Sequence, residues 1–191
     1  SETVDHREFT LLTRSLLEEH PELQALSWNP RITPSQLPNL SDMAKAQALP
    51  GFNVFQLNAA EQIENVTPRD DYFPILFIAP SASNQPALGY DIGSEPLRRR
   101  AIEAARSGKQ VSMTPPLRLV QETASQQGVL ILAPVFAAST DELTGFTVAV
   151  VRTDDMVEKA LMHVKKDGFV ISVRDITDNT DTLLYSNHQP A

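Results

Sequence analysis

The sequence predicts an α+β fold in which an N-terminal helix carries two mixed units of helix and sheet. Three observations lead there. Thr3 to Glu19 contains neither Gly nor Pro and sets Phe9, Leu12 and Leu16 on one helical stripe with Leu11 alongside. Two long branched runs, Gly128 to Phe136 and Phe146 to Arg152, are joined by a hairpin-like link over Asp141 to Gly145 and read as neighbouring strands. A helix followed by strands occurs twice, around 95–136 and again around 154–185.

In chain order, Pro21 ends or kinks the first helix. Leu26 to Pro38 holds Pro30, Pro34 and Pro38 around the lone Trp28 and reads as a connector pinned by a buried aromatic. Ser41 caps a short helix that runs to Leu49 and stops at Pro50-Gly51, and Val54 to Leu57 is a short strand. Tyr72 to Ile78 is aromatic and branched, a buried strand that Pro74 restricts to an edge or a bulge. After a turn over Ser81 to Pro86, Ala87 to Asp91 forms a short strand. Ser94 then caps a helix from Glu95 to about Ser107, with Leu97, Ala101, Ile102 and Ala105 inward. Val111 to Met113 and Leu117 to Gln121 are strand segments separated by Pro115-Pro116. Asp154 to Lys166 is an amphipathic helix stopped by Gly168, and Phe169 to Asp175 and Thr182 to Tyr185 are strands.

Composition narrows the function. The chain has 191 residues, of which 41% are apolar and 21% charged, so it can bury a core and is neither disordered nor fibrous. Sixteen basic against 24 acidic residues leave a net charge of −8, which argues against a nucleic-acid surface because phosphate binding needs clustered Lys and Arg. The run Arg98-Arg99-Arg100 reads as a solvated helix face. No cysteine occurs, which excludes disulfides, thiolate metal sites and thiol catalysis but leaves the compartment open. The longest apolar stretches, Ile75 to Ala79 and Val129 to Ala133, are far short of a bilayer span of roughly 18 residues.

Catalytic and metal motifs are missing. His6, His20, His163 and His188 are scattered, and no HExxH, GxSxG, GxxxxGK or GxGxxG pattern occurs, so neither an enzyme nor a resident cofactor or metal is expected. The doublet Asp70-Asp71 reads better as a turn than as an acid/base pair, since adjacent side chains on extended backbone point apart. Asp91 follows the apolar Leu88 and Tyr90, and Arg118 lies between Leu117 and Leu119, so each charge is costly inside unless paired. Pairing Asp91 with Arg118 as a structural clamp is the economical expectation.

The segments Asp71-Tyr72-Phe73-Pro74, Leu88-Gly89-Tyr90-Asp91, the Arg98 to Gly108 helix, Thr114-Pro115-Pro116-Leu117-Arg118-Leu119 and Gly128 through Pro134-Val135 resemble, in order and spacing, the CHASE domain. That domain is the extracytoplasmic sensory module of receptor histidine kinases and cyclases, and includes the sensor domain of cytokinin receptors. The resemblance spans Trp28 to Asp175. It implies a stalk helix (1–25), a membrane-distal PAS-like ligand-binding unit (26–140) and a smaller membrane-proximal PAS-like unit (141–191).

The resemblance also implies a site. Asp70 takes the place of a carboxylate that holds the ligand in the cytokinin receptors, and Leu88 and Gly89 the place of backbone groups that do so. Alternation along the strands would let Tyr72, Met113 and either Leu132 or Val135 line a curved sheet face, as a pocket for a small amphipathic molecule requires. The hydroxyl of Thr114 either joins that site or is satisfied by local backbone. The implied ligand is an adenine derivative, an amino acid or another small amphipathic metabolite, and no nucleic acid is expected. Flanking membrane spans, a parallel homodimer and a periplasmic or extracellular location are implied in the same way, as is two-component signalling. The competing expectation is a non-ligand-binding dimerisation, spacer or protein-interaction module. A sensor should hold a cavity and an unpaired carboxylate between Asp70 and Phe136, whereas a spacer should fill that space with side chains.

Overall fold

The computed structural model describes residues 5–49, 51–119, 127–164, 168–176 and 181–188. Helix α1 (His6–Glu19) starts at a capping box: the Asp5 carboxylate accepts from the amide of Glu8 at 2.8 Å, and Glu8 reaches back to the amide of Asp5. Phe9 and Thr13 are buried, while Leu11, Leu12 and Leu16 of the apolar stripe are exposed. The predicted part of this helix before Asp5 lies outside the described residues.

The expected connector around Trp28 is instead a strand, β1 (Leu23–Pro30), at the heart of the molecule. Its alternation is masked in the sequence because one face carries Ala25, Ser27 and Asn29. These are small or polar and yet buried, with the Ser27 hydroxyl donating to Asn29 Oδ1 at 2.7 Å. Leu26 and Trp28 occupy the other face. Helix α2 (Leu37–Ala46) begins earlier than Ser41, with Pro38 in its first turn, where a missing N–H costs nothing. A small hairpin follows, β2 (Phe55–Leu57) and β3 (Ile63–Asn65), of which only the first strand is legible in the sequence.

Within Tyr72 to Ile78 the ladder forms only at the end, as part of β4 (Phe77–Ala79). The earlier residues make isolated bridges, Tyr72 with Ile32 and Pro74 with Asp91. After the single-turn helix α3 (Ser81–Asn84), the stretch expected as a strand from Ala87 to Asp91 is turn-like, flanked by 3-10 turns over Gln85–Ala87 and Ile92–Ser94. Helix α4 (Pro96–Gly108) is capped by Glu95 rather than Ser94: its carboxylate accepts from the amides of Leu97 and Arg98, both at 3.0 Å.

The remaining strands are β5 (Ser112–Met113), β6 (Leu117–Arg118), β7 (Gln127–Phe136) and β8 (Leu143–Arg152). Helix α5 (Thr153–Ala160) is shorter than expected, and a last hairpin joins β9 (Ser172–Asp175) to β10 (Thr182–Ser186). One antiparallel sheet runs β4-β1-β8-β7-β5, with β6 also on β7. The β7–β8 ladder runs from Gly128 opposite Arg152 to Phe136 opposite Leu143, so a division after residue 140 falls inside this hairpin.

Two apolar clusters flank the sheet. On one face Leu130, Leu132, Phe146, Val148 and Val150 meet Ala101, Ile102 and Ala105 of α4. On the other, Phe77 and Tyr72 meet Phe9 of α1 and Leu40 and Ala44 of α2, with the Phe9 and Phe77 rings 5.8 Å apart. Gly89 is needed where the chain recrosses β2. Its φ is +90°, and a Cβ there would lie 2.0 Å from the carbonyl oxygen of Asn53. Gly89→Ala is therefore expected to destabilise by about 2–4 kcal/mol, a fall in Tm of roughly 5–15 °C in a thermal melt.

Candidate functional site

The site begins with a carboxylate that cannot stay alone. Asp91 is fully buried, and its oxygens accept from the amides of Phe73 (2.8 Å) and Gly93 (3.0 Å) and from Arg69 Nη1 (2.8 Å). Arg69 also bonds Gln56 on β2 and the hydroxyl of Thr67. The expected partner, Arg118, is not there. It is an exposed side chain on β6 that pairs with Glu61 of the β2–β3 turn at 3.0 and 3.1 Å. A clamp does exist at Asp91, but its cation is Arg69, from the loop before Asp70.

Around this frame lies a groove of about 670 Å³, within the range of small-molecule sites. Phe55, Leu57 and Ile63 come to it from the β2–β3 hairpin, Leu97 and Arg98 from the start of α4, and Leu117 to Leu119 from β6 and beyond. Arg98 is the residue that sequence reasoning missed. The arginine run read as a solvated helix face, yet Arg98 is only 5% exposed. Its guanidinium sits 5.5 Å from the centre of the Tyr90 ring, donates to the carbonyl of Arg118 at 3.1 Å and reaches Glu95 at 3.4 Å. The available signal was Glu95-Pro96 opening a helix directly before the run, which fixes Arg98 in the first turn.

Behind the groove, between the sheet and α4, a second space of only about 20 Å³ remains, room for about one water molecule. Tyr90, Arg98 and Leu119 border both spaces and form the partition between them.

The residues expected to hold a ligand are not brought together. Asp70 is exposed, whereas its neighbour Asp71 is buried. Tyr72 lies in the cluster under α2, its hydroxyl accepting from the amide of Arg69. Leu88 is half-buried, and both backbone groups of Gly89 are committed, the amide to Ile75 and the carbonyl to Phe55. Leu132 is sealed in the α4-side core. Thr114 is buried, and its hydroxyl accepts from the amide of Leu130 on the neighbouring strand β7, so its partner is neither the site nor the local backbone before Pro115. Met113 pairs across the sheet with Ile131 and is exposed, as is Val135. None of these eight lines the groove.

Asp71 anchors a separate cage. Arg31 Nε (3.1 Å), Arg99 Nη2 (3.3 Å) and Arg106 all converge on it, and the guanidiniums of Arg99 and Arg106 lie over the Phe73 ring. Burial alone would raise the pKa of this carboxyl. The hydrogen bonds from Arg106 and Arg31 and the charges of Arg106 and Arg99 outweigh that and hold it below its ordinary value.

The model of the CHASE domain family matches residues 2–185. The chain belongs to the CHASE domain family. It is thus a sensory domain from the extracellular part of a receptor; no helix of the described residues is long and apolar enough to cross a membrane. No curated protein matches this CHASE domain. Among solved structures it is similar to the extracellular domain of a protein described as a histidine kinase, mmHK1S-Z2, at 14% identity and a TM-score of 0.42. That match covers 89% of this CHASE domain and 54% of the solved chain, so the domain spans about half the length of that structure.

The Asp71 cage gives a pH test. The folded carboxyl titrates below the unfolded value of about 3.9, so on acidification the unfolded chain takes up the proton first. The contribution of Asp71 is whole above that value and is lost as pH falls through the folded pKa. Asp71→Asn should cost about 2 kcal/mol near neutral pH, less than a fully buried pair because the arginines are partly solvated. Urea unfolding across pH 2–7 should show a shallower acid-side loss in the variant than in the parent, with the difference confined to the range below about pH 5, where the unfolded carboxyl begins to take up its proton.

Proposed function

We propose that this domain senses a small molecule for a membrane-bound receptor of the histidine kinase or nucleotide cyclase type, and that the groove between the β2–β3 hairpin and α4 is where the molecule binds. One observation carries the reading: the groove is ligand-sized and combines apolar walls with a few charged groups, as small-molecule sites do. The antiparallel sheet with α4 on one face supports describing this part as a PAS-like unit. Helix α1, packed on β1 and β4 through Phe9, is the element through which the bound state reaches the rest of the receptor, together with α5 and the β9–β10 hairpin.

A second reading has an observation in its favour. The interior between sheet and α4 is filled to about 20 Å³, as expected of a spacer or dimerisation module that binds nothing. The two readings part in a thermal-shift screen against adenine derivatives, amino acids and small carboxylates. A true ligand at a hundred times its Kd stabilises by about 2.7 kcal/mol, and Ala59→Trp, which places an indole in the groove from an exposed turn, should abolish that shift without lowering the Tm of the free domain. A screen without hits establishes the spacer, and a hit that survives Ala59→Trp moves the site elsewhere.

Because this domain has no cysteine of its own, thiols placed at the exposed Leu12 and Leu16 report on α1 without background from the domain. In the full-length receptor, disulfide crosslinking between paired α1 helices should change on adding a ligand confirmed by the screen. Identical crosslinking with and without it would remove α1 from the relay.

A further inference from the structure

The charges of the groove are not equivalent, and their differences point to one kind of ligand. Glu95 is committed: both of its oxygens already accept amides at the start of α4. Glu61 is exposed and doubly bonded by Arg118, itself exposed. Neither carboxylate is placed to read a cation. Arg98 is different. It is buried with its guanidinium over the Tyr90 ring, and among the described residues its five N–H donors make two hydrogen bonds, one of them a long 3.4 Å contact to the already committed Glu95. A desolvated guanidinium with spare donors beside an apolar wall is matched by a carboxylate on an apolar body, which supplies the two-pronged acceptor that the planar fork fits.

We infer that the groove takes a small amphipathic carboxylate, with Arg98 as the residue that reads its charge and Arg118 as a second cation at the groove. The inference rests on the sensor reading above and names its ligand class. Exchange of Glu61 for the ligand on Arg118 costs little, since an exposed ion pair contributes little to stability. Leu57, Ile63 and Leu97 receive the apolar body. Arg98 also borders the inner space, so a carboxylate held there sits against the partition formed with Tyr90 and Leu119.

The test uses the domain itself with three probes of one shape: phenylacetate, phenylacetamide and phenethylamine, titrated at millimolar concentration and followed by backbone amide NMR. Phenylacetate should bind at least about tenfold more tightly than either of the others, with shifts centred on Leu97 and Leu119. Arg98→Gln should remove that preference by about tenfold or more, and Arg118→Gln should reduce it by at most about fivefold. Should Arg98→Gln fail to fold, the comparison of acid and amide on the parent domain still decides. Equal binding of acid and amide, tightest binding by the amine, or shifts away from the groove overturns the inference. Failure of phenylacetate to bind does so too when the screen returns a neutral or cationic hit that Ala59→Trp abolishes, an outcome that leaves the sensor reading standing. A screen with no hit at all removes the sensor reading itself.

Discussion

The arrangement of the groove depends on neutralising one buried charge. Asp91 has no contact with solvent, and an ionised carboxylate in that position is tolerable only if its oxygens are filled. Two amides and Arg69 fill them, and Arg69 in turn holds Gln56 on β2. Loop 67–69, the start of the Phe73 segment and the β2–β3 hairpin are therefore tied to one point. Burial pushes the Asp91 carboxyl upward, against the amides of Phe73 and Gly93 and the charge of Arg69. Its linkage is thus opposite to that of Asp71: the folded state binds the proton first, so the cost of keeping Asp91 charged grows as pH rises from the unfolded value through the folded one. Asp71 and Asp91 thus give the domain opposing acid responses.

Side-chain size decides where a guest can go. Phe73 and Phe146 meet edge to face at 5.3 Å in the α4-side core, and Leu132, Ile102 and Val148 close around them. Interiors at this density leave gaps smaller than a metabolite, and the remaining 20 Å³ agrees. Space instead appears at the edge of the sheet, where β6 is two residues long and the β2–β3 hairpin stands off it. Tyr90, Arg98 and Leu119 stand between the two regions.

Much of the architecture was legible because it follows from periodicity. The β7–β8 hairpin, α1 and α4 declare themselves through branched runs or an apolar stripe between breakers. β1 did not, because Ser27 and Asn29 satisfy each other inside the core and so hide a buried face behind polar letters. The α+β class was readable, whereas the partners of individual charges were not. Asp91 and Arg118 each looked in need of a partner, and each has one. Which cation meets which anion is set by how loop 67–69 and the turn at Glu61 fold back, and nothing local in the sequence encodes that. The expected ligand face is a related case: strand alternation separates Met113 from Leu132 and puts them on opposite faces of the sheet instead of around one cavity.

The groove and α1 lie on opposite faces of the sheet, which constrains any communication between them. A ligand biases α1 only if it binds two arrangements of the domain unequally. α4 is held by a continuous apolar face and resists movement; the β2–β3 hairpin is anchored at β2 by the buried Phe55 ring against Tyr90, by backbone bonds of Phe55 to Gly89 and Asp91 and by Arg69 to Gln56, whereas its other strand, β3, is exposed. The hairpin is the side of the groove that costs less to displace. Its displacement pulls on Arg69 and, through Asp91, on the amide of Phe73, the segment that leads directly into β4. β4 carries Phe77, against which Phe9 of α1 rests, and β1 beside it begins at the Glu22–Lys159 ion pair with α5, whose hydrogen bond holds the Glu22 pKa at about 2. The polar chain from hairpin to Asp91 thus ends on the segment leading into β4, the strand that seats α1, while α5 meets this side of the sheet through the Glu22–Lys159 pair.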